Sequence, residues 1–174
     1  MKRLMLALVF LSAVAFAQNE PLPTHTFSLT STAISLPGDR GTFVGTDSGV
    51  AISFTDRFDL AETNVLSSDG KLAFFGGGAA YSFPVLSKWI NNHSQLSGFR
   101  LRIGARAFAG VSRVKDPVSA AVDQHWGGLA QGTFKYSFDA GGNWNLGANV
   151  GMARFPGYSK GWIPVVEVGP SFHF

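Results

Sequence analysis

The chain has 174 residues, only 14% of them charged, with 21 glycines, 16 phenylalanines and no cysteine. Typical soluble domains carry about a quarter charged residues, and without cysteine neither disulfides nor a thiol metal site can hold an exported domain together. Within the net charge of +3 no Lys/Arg cluster of the kind that tracks phosphates appears outside one strand, Arg100 to Arg106, which argues against a nucleic-acid partner.

The first segment, residues 1–17, reads as a secretory signal peptide. Lys2 and Arg3 precede an apolar run from Leu4 to Val14, and Ala15-Phe16-Ala17 has the small-x-small form of a cleavage site after Ala17. The run is too short to span a bilayer as a helix. Its removal takes two positive charges, so the net charge falls from +3 to +1. Residues 18–23 read as a linker, and residues 24–174 as one domain.

Period-two alternation organises that domain. Thr24 to Leu36 starts with Phe27 and Leu29 on one parity and shifts to Ile34 and Leu36, which suggests a bulge. Thr42 to Phe54 carries Val44, Val50, Ile52 and Phe54 on even positions; Phe58 to Leu66 alternates least clearly; Leu72 to Phe83 carries Phe75, Ala79, Tyr81 and Phe83 on odd ones. The second half is cleaner. Leu101, Ile103, Ala105, Ala107, Ala109 and Val111 alternate with Arg100, Arg102, Gly104, Arg106, Phe108 and Gly110. Trp126 to Phe138 sets Trp126, Ala130, Phe134 and Tyr136 against Gln131, Thr133, Lys135 and Ser137. Trp144 to Met152 and Trp162 to Phe174 repeat the pattern, the last opposing Val166, Val168 and Phe172 to Glu167, Ser171 and His173. At about 3.3 Å per residue, tilted strands of this length cross a bilayer.

Threaded as an even antiparallel circuit, the segments put both termini on one side and gather Tyr81, Tyr136, Trp144 and Phe172 at that rim. Trp126 and Trp162 meet at the other. Such aromatic belts are expected at water–lipid boundaries. The fold expected is all-β: an eight-stranded antiparallel transmembrane β-barrel. Between Pro84 and Gly98, Leu86, Trp89 and Ile90 follow helical spacing, which predicts a short helix in one periplasmic connection. Pro164 and Pro170 each lack a ladder donor and belong near strand ends or at bulges.

Val166, Val168, Phe172 and the terminal Phe174 resemble the C-terminal signature of the small outer-membrane β-barrel superfamily of OmpA- and OmpX-type proteins. The resemblance implies a bacterial outer-membrane location, contact with outer-membrane lipids, and recognition of those four residues by the barrel-assembly machinery. It identifies no external ligand and implies no cofactor.

Arg100, Arg102, Arg106, Lys135 and Glu167 share the inward face of this barrel. An eight-stranded interior is just wide enough to be filled by side chains, so the plainest reading is a lumenal polar network with Glu167 bridging arginines. A narrow anion-attracting passage is the alternative. A lipid-modifying enzyme would need Ser, His and a carboxylate converging at the outer rim; Asp123 and His125 are there without a placed serine, and Ser171 and His173 fall on the other side. Gly76-Gly77-Gly78 lacks the helix and Lys of a phosphate loop, and His25, His93, His125 and His173 lack metal-ligand spacing. The expected function is a non-enzymatic structural or surface-interaction role. A soluble barrel of inverted polarity would bury the same charges in an apolar cup, at high cost.

Overall fold

The structure is a computed structural model that describes residues 26–38, 41–55, 57–85, 100–116, 119, 121–138 and 143–174. The expected signal peptide, the expected linker and the predicted helix around Leu86, Trp89 and Ile90 lie outside these residues, as do His25 and His93.

Eight strands follow one another in the order β1 (Phe27–Gly38), β2 (Gly41–Ser53), β3 (Phe58–Ser67), β4 (Leu72–Val85), β5 (Arg100–Lys115), β6 (Val122–Ser137), β7 (Trp144–Arg154) and β8 (Ile163–His173). Each pairs antiparallel with its sequence neighbour, and β1 pairs with β8, closing the barrel. Closure leaves no unpaired edge, so the backbone donors and acceptors of the strands are satisfied within the wall, as a lipid environment requires. The first and last described residues, Thr26 and Phe174, lie together at one end of the barrel, here the termini end. The β3–β4 turn and the β5–β6 and β7–β8 connections lie at the opposite end.

The seam between β1 and β8 bears the mark of Pro170. Pairing runs from Ser28↔His173 to Thr30↔Ser171 and resumes at Ala33↔Val168 in the same register. Pro170 falls in the gap, because it has no N–H to donate. The gap is not a bulge, since the register is unchanged across it. Pro164 is the second residue of β8.

The bulge expected in β1 is absent. The strand pairs with β2 without interruption from Phe27↔Ile52 to Gly38↔Gly41. The apolar parity switches because the interior does: Leu29 faces out and is exposed, whereas Ile34 and Leu36 face in and are fully buried. They belong to a core that fills the end of the lumen opposite the termini, with Val65, Leu72, Phe74, Phe108, Leu129, Phe155 and Val165. The rings of Phe74 and Phe155 pack at 5.0 Å between centroids.

Glycine makes the space for this core. Gly76, Gly110 and Gly127 are register partners across β4, β5 and β6. A Cβ on Gly76 would lie 2.7 Å from the Phe74 ring, and one on Gly127 3.4 Å from it. Within the three-glycine run of β4, Gly76 therefore makes room for the Phe74 ring, while Gly78 lets the β5 backbone at Ala107 approach.

The β3–β4 turn shows how that end of the barrel is closed. Gly70 takes a left-handed φ of 67°, which glycine adopts without steric cost. Ser67 Oγ donates to Asp69 Oδ1 at 2.6 Å, Lys71 N donates to the same oxygen at 3.1 Å, and Lys71 Nζ lies 3.5 Å from Asp69 Oδ2. Burial acts to raise the pKa of the Asp69 carboxyl, but these donors and the Lys71 charge outweigh it and hold it below the ordinary value. A depressed folded pKa gives stability that is complete above the unfolded value, near 3.9, and is lost as pH falls through the lower folded value. A carbon-detected NMR titration should place the Asp69 midpoint below about 3.9; a midpoint at or above it would contradict this account of the turn.

Candidate functional site: the barrel lumen

Strand alternation sends the odd residues of β2, β3, β6 and β8 and the even residues of β1, β4 and β5 to the interior. At the termini half these are polar. Arg106, on β5, is the hub. Its guanidinium Nη2 pairs with Asp47 of β2 at 3.1 Å and with Glu167 of β8, and its Nε donates to Gln131 Oε1 at 2.6 Å. The Glu167 carboxylate also accepts from Gln131 Nε2 at 2.8 Å and Asn149 Nδ2 at 3.0 Å. The Thr63 hydroxyl donates to Asp47 Oδ1. Asp47 and Glu167 are almost completely buried, at 1% and 0% exposure, so two carboxylates taken out of water share one guanidinium and a set of neutral donors.

The other inward charges are placed nearer the termini. Arg102 donates from Nε to Ser82 Oγ at 3.2 Å and from Nη2 to the Ser82 carbonyl at 3.2 Å. Lys135 is the register partner of Arg102 and lies within electrostatic reach of Asp59, Arg102 and Arg106. The side chain of Arg100 lies outside the described part, although its backbone opens β5. Glu167 meets Arg106; Arg102 is held by Ser82 instead of by that carboxylate. Asp47, Gln131 and Asn149 complete the hub, and sequence reading did not single them out. Their signal was their inward parity, which by itself does not say which strands face one another across the lumen.

Two features govern what the lumen can do. A cavity of about 50 Å³ lies among Thr30, Asp59, Arg106, Thr133, Lys135 and Asn149, room for a few waters. Beyond Arg106, whose guanidinium sits 5.3 Å from the Phe108 ring centroid, the apolar core occupies the remaining length. Among the described residues the interior is therefore a polar, charged half with room for water abutting a close-packed, largely apolar plug.

The outer wall is apolar. Exposed outward residues include Leu29, Val44, Ile52, Phe75, Phe134, Leu146, Val150, Val166 and Val168. At the termini rim Trp144 packs on Phe172 at 4.5 Å and Tyr136 on Phe138 at 5.2 Å, with Tyr81 and Phe174 exposed nearby. At the opposite rim Trp126 and Trp162 are 78% and 53% exposed, and a Cβ on Gly128 would lie 3.9 Å from the Trp162 ring.

The barrel architecture is shared with solved structures. The N-terminal β-barrel domain of Pseudomonas aeruginosa OprF matches with a TM-score of 0.52 at 15% identity, over 84% of this chain and 97% of that one. Neisserial surface protein A matches with a TM-score of 0.53 at 15% identity, over 87% of this chain and 97% of that one. The chain shares the closed eight-stranded β-barrel fold with both. No protein-family model and no curated protein sequence matches the chain. At such low identity the likeness carries the barrel architecture and leaves the role to be argued from the residues.

In this barrel the groups considered for catalysis stand apart. Asp123 and His125 are exposed at the far end of β6, and the Ser112 hydroxyl donates to the His125 carbonyl at 3.2 Å instead of to its imidazole. Ser171 and His173 lie at the termini end, on β8. Among the described residues no group of His, Asp and Glu could hold a metal ion.

Proposed function

We propose that the protein is an integral component of a bacterial outer membrane, exported by its signal sequence and inserted with its termini on the periplasmic side, and that it serves a non-enzymatic structural or surface-interaction role. The observation that carries the reading is the polarity of the closed wall: an outer face that is predominantly apolar, with Leu29, Ile52, Phe75, Phe134, Val150 and Val166 exposed, around an interior that holds Asp47, Arg102, Arg106, Lys135 and Glu167. Soluble monomers rarely expose contiguous apolar patches above a few hundred Å², whereas lipid tails solvate such a surface. The aromatic rims support the same reading, because indole and phenol rings favour the headgroup level.

The plugged lumen supports a scaffold over a passage. An ion would have to cross the close-packed Phe74–Phe155 layer, where Ser112 is the register partner of Phe74 and its hydroxyl is already committed to the His125 carbonyl, at a high desolvation cost. On this reading Val166, Val168, Phe172 and Phe174 serve the assembly machinery, and the lipids are the principal partners of the wall. Two measurements test it. Protein from outer-membrane fractions should migrate differently on gels with and without boiling, and the folded protein should give no steady conductance in planar bilayers. Recovery from the soluble periplasm without a mobility shift would defeat the membrane assignment; stable channels would defeat the closed scaffold.

A further inference from the structure

One patch of the outer wall breaks its apolar character. Ser31 of β1 is the register partner of Ser48 on β2, and Ser48 is the partner of Asn64 on β3. Neighbouring strands are about 4.8 Å apart, so the three polar side chains form a continuous row about 10 Å wide across the outside of the barrel. Thr46 and Glu62, two residues from Ser48 and Asn64, flank it on the same face. Ser31, Thr46, Ser48 and Glu62 are exposed and Asn64 is half-buried. The row is not at a rim. Leu29, Ile52, Phe54 and Phe58 lie outward of it toward the termini, and Val44 and Leu66 toward the other end. No cation occurs among the outward residues of β1, β2 or β3.

We infer that this row is a lateral interface through which two copies of the barrel pair within the membrane. The inference rests on the membrane assignment above. Acyl chains offer the row no hydrogen bond, and a carboxyl on the lipid face is unfavourable. Hydroxyl and amide groups both donate and accept, so the row is its own complement, and the Glu62 carboxyl can accept from the same groups on another copy. Copies assembled from the same side share one orientation. A twofold axis along the membrane normal therefore brings the row of one copy to the same depth on the next, as an isologous contact requires. Small side chains such as Ser31, Ala33 and Ser48 let two walls approach closely, as at other membrane interfaces. A groove beside the row, lined by Leu29, Val50, Pro170, Trp144 and Phe172, gives large side chains of the other copy a place to enter. It coincides with the Pro170 gap in the β1–β8 seam. A partner of fixed charge is less well suited, because the row pairs one carboxyl with neutral groups only.

The absence of cysteine from the whole chain makes the test clean. Ser48→Cys and, on the opposite wall, Ala130→Cys are made in the full-length protein and oxidised in outer-membrane vesicles. Folding of each is read separately from the unboiled mobility shift. Ser48→Cys should give a disulfide-linked band at twice the monomer mass, and Ala130→Cys should not. Adding Asn64→Leu and Glu62→Leu to Ser48→Cys should reduce the linked fraction about tenfold, since each lost hydrogen bond between membrane segments weakens association about threefold. A folded Ser48→Cys barrel that stays monomeric overturns the interface while leaving the membrane assignment standing. Equal linking at Ala130, or linking of Ser48 to a product of another mass, overturns it as well. Recovery of unmodified protein from the soluble fraction would remove both readings together.

Discussion

Replacing Arg106 with Met lowers the stability of the barrel by about 3–5 kcal/mol, the loss expected when one partner of a buried ion cluster is removed. The size follows from the stoichiometry of the hub. Asp47 and Glu167 are both buried and both face the same guanidinium, so losing Arg106 leaves two uncompensated carboxylates, not one. Gln131 and Asn149 still donate to Glu167, yet neutral donors cannot cancel two charges. Neutralising the acids as well should recover most of the loss: the triple variant Arg106→Met, Asp47→Asn, Glu167→Gln keeps the side-chain volumes and removes every charge from the hub. Buried ion clusters are often replaceable as a unit at little net cost although no single member is. Urea unfolding in lipid vesicles reads both values. A single variant within about 1 kcal/mol of the parent, or a triple variant as unstable as the single, would show that the hub does not hold the barrel as described.

Truncating Phe74 to Ala should cost a similar amount, about 3–5 kcal/mol, for a different reason. Phe74 is fully buried against Phe155 and beside the glycine row of β4, β5 and β6. Its removal leaves a void lined by barrel wall on all sides, which cannot collapse without breaking strand pairing. Val166→Ala supplies the comparison. Val166 faces outward and is 47% exposed, so on the membrane reading lipid fills the space it leaves. Its cost is limited to the transfer of two carbons, about 1.6 kcal/mol at about 0.8 kcal/mol each, with no cavity contribution. The same unfolding experiment decides. A Phe74→Ala loss no larger than that of Val166→Ala would mean the far end of the lumen is not the close-packed core described here.

The eight strands were legible because a closed wall with a largely apolar outer face and a filled interior imposes a period of two on each. The segments of β5 to β8 show it clearly. The alternation in β3 was faint because its outward face carries Glu62 and Asn64, the residues that break the apolar wall. In β1 the change of parity at Ile34 was legible but its cause was not. A bulge and a change in lumen polarity give the same sequence pattern, and only the unbroken pairing of β1 with β2 separates them. A cue was present: Val65, Phe74, Leu129 and Val165 are apolar on the inward parity at the same end of their own strands.

Local periodicity marked the strands and their two faces from sequence alone, because it depends only on neighbours along one strand, and threading those strands as one even circuit gathered the aromatic rims. Which charges meet was decided by closure. Asp47 and Glu167 lie on strands far from Arg106 in sequence, and they converge on it because the shear and register of a closed eight-stranded wall set which side chains share a level. The plug has the same origin: seven strands and the β7–β8 connection each contribute one or two apolar residues, too few on any one segment to reveal a core until the wall brings them together.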